Sequence, residues 1–182
     1  PTDTTDVSDT NVPTDTTDAD TVTPIAGASC DLPRVIAVSG ALTAPIVVSG
    51  DTTGKGDDHD ALFGECAGIE WDFGFGAEDE VWSFTAPVAG DYDLSLLSEL
   101  DLGIYVLSDC PQAAIPTCEA GSDFAGPDEA DEVTLTLAAG QTVFVVVDAY
   151  ADEEILAVAG PYTLTVSGLR PVAPVGARPR HL

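Results

Sequence analysis

From Cys30 onward, apolar and polar residues alternate in short runs. Val133, Leu135 and Leu137 are separated by Thr134 and Thr136, and Tyr92, Leu94 and Leu96 by Asp93 and Ser95. This period of two belongs to strands that bury one face. The run Val143 to Val147 is apolar without a break, the pattern of a central strand covered on both faces. Gly, Pro and Asp punctuate the runs. The expected strands are Val35 to Ser39, Ile46 to Ser49, Glu80 to Thr85, Asp91 to Leu97, Gly103 to Leu107, Glu132 to Leu137, Thr142 to Asp148 and Tyr162 to Ser167. Helical periodicity is nearly absent, with only Glu153 to Val158 suited to a turn or two. About eight short strands predict an all-β fold, a two-sheet antiparallel sandwich of jelly-roll type. Its core draws on Trp82, Phe84, Tyr92, Leu94, Leu96, Ile104, Val106, Leu135, Leu137, Val145, Val147, Tyr162 and Leu164.

Two flanking segments break this pattern. Residues 1–29 form an extended, low-complexity acidic tail, in which Pro1-Thr2-Asp3-Thr4-Thr5-Asp6 returns as Pro13-Thr14-Asp15-Thr16-Thr17-Asp18. Nine Thr and six Asp among the first 23 residues cannot build a core. Clustered Thr with Pro has the composition of an O-glycosylated stalk, with Thr2, Thr4, Thr5, Thr14, Thr16 and Thr17 as acceptors, or of a plain flexible spacer. Residues 30–168 are the expected sandwich, and 169–182 a basic, Pro-rich tail.

Of the 182 residues, 45% are hydrophobic and 20% charged, enough apolar material for one core despite a formal net charge of -27. Against 32 acidic residues stand five cations, Arg34, Lys55, Arg170, Arg178 and Arg180. A nucleic acid or an anionic bilayer would be repelled, so cations or basic protein surfaces are the expected partners. No run approaches the roughly 18 apolar residues of a membrane span. The chain has no Met, as expected of a processed chain or a fragment; export is the usual reason for such trimming, so the mature part of a bacterial protein secreted or displayed on the surface is expected.

Cysteine usage fits export. The four cysteines include no C-x-x-C pair of the zinc or thioredoxin kind, which leaves a disulfide framework or four free thiols. Their grouping predicts Cys30 with Cys66, and Cys110 with Cys118 across a small loop containing Pro111 and Pro116.

Catalytic chemistry is thinly supplied. His59 and His181 are the only histidines, and neither G-x-S-x-G nor H-E-x-x-H occurs. Carboxylate pairs are uninformative where 32 acids guarantee chance neighbours. Acidic, Gly-rich loops do suit calcium, a hard cation that takes several oxygen ligands. The candidate ligands are Asp57, Asp58 and Asp60, then Asp79 and Glu80, then Asp148, Asp152 and Glu153, none at EF-hand spacing. The other reading of each group is a solvated acidic rim, and His59 reads first as part of a solvated polar turn.

The run Glu80-Val81-Trp82-Ser83-Phe84-Thr85-Ala86-Pro87-Val88-Ala89-Gly90-Asp91-Tyr92 resembles the bacterial pre-peptidase C-terminal domain. The resemblance extends through Leu102 to Cys110, Leu137-Ala138-Ala139-Gly140-Gln141-Thr142 and Gly160-Pro161-Tyr162-Thr163-Leu164-Thr165-Val166, covering about Cys30 to Gly168. It implies a jelly-roll-like sandwich serving as an accessory module of secreted proteins, in some members with calcium or polysaccharide bound, and it transfers no catalytic residue. The chain departs from the family at Cys118, where Glu119-Ala120-Gly121 replaces consecutive acids.

Three function classes follow: a structural subunit that packs on copies of itself, a calcium-assisted module binding glycan or protein, and an enzyme's accessory fragment. The termini of opposite sign favour the first, a non-catalytic extracellular module assembling head to tail into a fibre. Val22 and Ile25 at one end, and Arg170, Val172, Arg178 and Arg180 at the other, are its expected contacts.

Overall fold

The computed structural model describes residues 24–61, 66–70, 73–110, 117–149 and 159–168. Nine strands run in chain order: β1 Arg34–Ile36, β2 Ile46–Asp51, β3 Glu80–Thr85, β4 Gly90–Ser98, β5 Leu102–Leu107, β6 Cys118–Ser122, β7 Ala130–Leu137, β8 Thr142–Ala149 and β9 Pro161–Gly168. They form two sheets, ordered β1-β3-β8-β5-β6 and β2-β9-β4-β7. Every strand pair is antiparallel except β1 with β3. The fold is the expected all-β sandwich.

Alternation along the strands builds the core. Trp82 and Phe84 of β3, Ile104 and Val106 of β5, and Val143, Val145 and Val147 of β8 face Tyr92, Leu94 and Leu96 of β4, Leu135 and Leu137 of β7, and Tyr162 and Leu164 of β9. All thirteen residues expected in the core bury there. Each fully buried aliphatic or aromatic side chain contributes about 1.5–3 kcal/mol relative to exposure. Phe84 and Tyr92 add an edge-on ring pair across the two sheets, with centroids 5.2 Å apart.

Strand β8, read as covered on both faces, lies at the centre of its sheet between β3 and β5. Its second face and that of β5 carry Val146, Tyr105 and Leu107, which pack with Ala61, Cys66, Ile69, Phe73 and Val81. The cover comes from the β2–β3 connection, within which Ala61 and Phe73 meet in a bridge, Ala61 N–H donating to Phe73 O at 2.9 Å and Phe73 N–H to Ala61 O at 2.8 Å. The connection lies close over β6: Gly121 N–H donates to Ala67 O at 2.7 Å, and a Cβ on Gly121 would stand 3.1 Å from Cys66 Sγ.

That path corrects the expected disulfides. Cys30 pairs with Cys110 and Cys66 with Cys118, not Cys30 with Cys66 and Cys110 with Cys118. The β2–β3 connection brings Cys66 over the start of β6, while Cys110, just after β5, meets the entry of the sandwich. The bonds span 80 and 52 residues, and on the chain-entropy view closures of that size stabilise by roughly 4 kcal/mol each. Strand β6 was not expected, because Cys-Glu-Ala-Gly-Ser offers no β-branched residue and no alternation. The segment expected to make a helical turn, Glu153 to Val158, lies outside the described residues. Among the described residues no helix is long and apolar enough to cross a membrane.

Candidate metal centre

Asp79 and Glu80 are neighbours in sequence and opposites in space. Glu80 has the parity of Trp82 and points between the sheets, whereas Asp79 has the parity of Val81 and points under the β2–β3 connection.

Glu80 is fully buried and its carboxylate is saturated by protein groups. Oε1 meets Arg34 Nη1 at 3.2 Å and Lys55 Nζ at 3.1 Å. Oε2 accepts from Asp51 N–H at 3.0 Å and from the Tyr162 hydroxyl at 2.6 Å. That hydroxyl in turn accepts from Trp82 Nε1 at 2.6 Å, and the Arg34 guanidinium lies 3.9 Å over the Trp82 ring. Two of the chain's five cations converge on this one acid. Glu80, expected among calcium ligands, instead ties β1, β2, β9 and the start of the β2–β3 connection to β3. Gly50 allows the approach, since a Cβ there would run into Tyr162 and Glu80.

Asp79 has no such company. One oxygen, Oδ2, accepts from Asp58 N–H at 2.7 Å and His59 N–H at 2.9 Å. The other, Oδ1, is buried with no partner among the described residues. In the β3–β8 ladder Glu80 pairs with Val147, so one step on, Asp79 and Asp148 stand side by side at its end. Asp148 is also fully buried; it accepts from Ala149 N–H at 2.7 Å and from the Tyr105 hydroxyl at 3.2 Å. Gly74, at φ +100°, closes the site from above. A Cβ there would collide with Asp148 Oδ2 and stand 3.2 Å from the carbonyl oxygen of His59.

The electrostatics follow from this geometry. Burial pushes the Asp79 carboxyl up to about 7, outweighing the two backbone donors, with Asp58 and Asp57 adding repulsion. Burial raises Asp148 well above the carboxylate range, and the charge of Asp79 adds to it. Asp60 is raised by partial burial and by Asp57. Tyr105 is raised by burial and then by Asp148 and Asp79, so it stays a donor. No cation among the described residues is paired with Asp79 or Asp148.

Of the expected calcium ligands, the fold therefore brings Asp79, Asp148 and Asp60 into one electrostatic group, with the main chain of Asp58 and His59 at its rim. Asp57 is exposed and accepts from Gly76 N–H at 3.1 Å. Asp152 and Glu153 lie outside the described residues, as do Thr2, Thr4, Thr5, Thr14, Thr16, Thr17, Val22, Arg170, Val172, Arg178 and Arg180. Ile25 is described, and it is 49% exposed. Sequence reasoning missed Tyr105, Gly74 and the His59 carbonyl, which carry no motif and become neighbours only through the sheet and the path of the β2–β3 connection. It also missed a second acidic group, in which burial, with Asp131 and Asp101 nearby, lifts Asp123 to about 7.

No protein-family model matches the chain, and no curated protein matches it. Among solved structures it is similar to the pre-peptidase C-terminal domain of a collagenase from Bacillus anthracis, at 18% identity and a TM-score of 0.44, over 74% of this chain and 94% of that one. It is similar also to a periplasmic inhibitor of g-type lysozyme from Aeromonas hydrophila, at 13% identity and a TM-score of 0.45, again over 74% and 94%. A Podospora anserina mannanase of the GH26-CBM35 kind matches at 14% identity and a TM-score of 0.35, over 70% of this chain and 29% of that one.

Proposed function

We propose that the chain is a non-catalytic extracellular module whose outer loop is locked onto the sandwich by calcium, so that the clamped surface can hold a glycan or protein partner. The observation that carries this reading is the orphaned Oδ1 of Asp79, buried beside a second buried carboxylate. A lone buried acceptor costs about 1–3 kcal/mol, and two like charges side by side cost more, unless a proton or a cation joins them. Calcium takes six to eight oxygens in a flexible shell. Asp79 and Asp148 would supply the buried ligands, with the His59 carbonyl at the open side and water completing the set; Asp60 adds its charge from farther out, since no three carboxylates converge to ligand spacing among the described residues. A bound calcium would supply charge neutralisation and a fixed geometry, and the chain's own groups would hold it.

Asp79 and Asp148 are both fully buried, which supports a structural role over that of an acid that must touch what it protonates. Two disulfides support an oxidising compartment. Calorimetric titration of calcium into chelator-stripped protein tests the reading. One site, lost in Asp79→Asn/Asp148→Asn, supports it; identical heats from both proteins would remove it.

A second reading, head-to-tail assembly of copies, is favoured by apolar residues around the edge strand β1: Val35 is 68% exposed, Ile25 49% and Leu32 43%. An extended segment of another copy would add to that edge. Sedimentation of the full chain and of chains lacking 1–23 or 170–182 separates the readings. A single monomer in all three, across a wide concentration range, rejects assembly.

A further inference from the structure

We infer that the Cys30–Cys110 disulfide is reducible and that, once reduced, Cys30, Cys110 and His59 form a binding site for a zinc-class divalent cation. One ligand atom from each of the three residues lies within 4.8 Å of the other two. His59 Nε2 is 3.2 Å from Cys30 Sγ. Two thiolates and an imidazole, with a fourth position open to water, are a donor set that zinc accepts. Tetrahedral bonds of about 2.3 Å to sulfur and about 2.0 Å to nitrogen put neighbouring ligand atoms roughly 3.5–3.8 Å apart. The pair reaches that spacing once the sulfurs separate, over a Cα–Cα distance of 5.5 Å.

His59 distinguishes this disulfide from the other. The His59 main chain is anchored, because its N–H donates to Asp79 Oδ2 at 2.9 Å. Each pair joins a buried cysteine, Cys30 or Cys66, to a half-buried one, Cys110 or Cys118, so either bond is open to a reductant at one sulfur and the imidazole of His59 is what sets the first apart. No other metal-capable group of His, Cys, Asp and Glu of this compactness occurs among the described residues.

The chemistry balances with a dithiol as the named reductant. It gives two electrons and two protons, the Cys30–Cys110 bond breaks into two thiols, and the dithiol closes to its own disulfide. The cation then displaces both thiol protons and binds the two thiolates and the imidazole. In an oxidising setting the same residues are a staple; in a reducing one they become a metal site.

The test uses the full chain, reduced, and titrated with cobalt(II) as a spectroscopic probe for zinc. Thiolate-to-cobalt absorption reports the site, and circular dichroism follows the sheets. The expected result is one cobalt per chain, displaced by zinc, with at least about tenfold weaker binding in His59→Ala and in Cys110→Ser. The Cys66→Ser/Cys118→Ser variant retains wild-type absorption, and the unreduced chain shows none. Should reduction alone abolish the sheet signal, zinc is expected to restore it, because binding and folding are then coupled. Absorption that is absent, unchanged in His59→Ala, or dependent on Cys66 and Cys118 overturns the inference, as does a reduced, unfolded chain that zinc does not refold.

Discussion

Replacing Asp79 by Asn removes one of two buried carboxyls that no cation pairs among the described residues, and the fold predicts an outcome whose sign depends on pH and calcium. The Asp79 carboxyl moves from an ordinary 3.8 in the unfolded chain to about 7 in the folded one. Between those values the folded state holds the extra proton, so calcium-free stability falls as pH rises through that window and levels off above it. At about 1.36 kcal/mol per pH unit, the rise corresponds to about 4 kcal/mol. The amide introduced by Asp79→Asn keeps a carbonyl oxygen for the Asp58 and His59 N–H groups, and any weakening of those bonds is the same at every pH. Comparing the two proteins at pH 4 and pH 8 cancels that offset. In chelator, the variant should gain about 4 kcal/mol on the wild type between the two pH values, as a property of the Asp79–Asp148 pair. Calcium at saturation should reverse the order at pH 8, because only the wild type binds it well. The assay is guanidinium unfolding of the disulfide-intact proteins, with and without calcium. A stability difference that is the same at pH 4 and pH 8 in chelator would refute the reasoning.

Other consequences are smaller in scope. Glu80→Ala leaves the partly buried Arg34 and Lys55 without their anion, and the Asp51 N–H and Tyr162 hydroxyl without their acceptor, and should cost about 3–5 kcal/mol by denaturant melts, whether or not calcium is present. Leu135→Ala should cost about 2–5 kcal/mol, while Leu97→Ala, at a position 47% exposed, should stay within about 1 kcal/mol; equal losses would mean that the faces of β4 and β7 are wrongly assigned. Mass mapping of an unreduced digest should recover peptides joined through Cys30–Cys110 and Cys66–Cys118, and a Cys110–Cys118 peptide would contradict the path of the β2–β3 connection.

What the sequence revealed, and what it hid, divides by range along the chain. Strand faces were legible wherever alternation was clean, as in Tyr92-Leu94-Leu96, because burying one face is a local demand on a strand. The central position of β8 was legible from its unbroken apolar run for the same reason. The disulfide pairing was not, since it depends on a long connection between β2 and β3 crossing β5 and β6, and no local pattern records that choice. The metal centre was half legible. Acidic residues at Asp79, Glu80 and Asp148 stood out, yet the one-residue alternation that sends Asp79 to one side and Glu80 to the other matters only once their surroundings are known. On one side wait Arg34, Lys55 and Tyr162; on the other waits Asp148.

The central claim is that a hard cation sits between Asp79 and Asp148, and terbium luminescence tests it most directly. Terbium substitutes for calcium, and Tyr105, whose hydroxyl lies 3.2 Å from Asp148 Oδ2, is placed to sensitise it. The account predicts emission on exciting the protein that saturates at one terbium per chain, is displaced by calcium, and disappears in Asp148→Asn. Emission that calcium does not displace, or that survives Asp148→Asn unchanged, would place the cation elsewhere on this acidic surface and contradict the account.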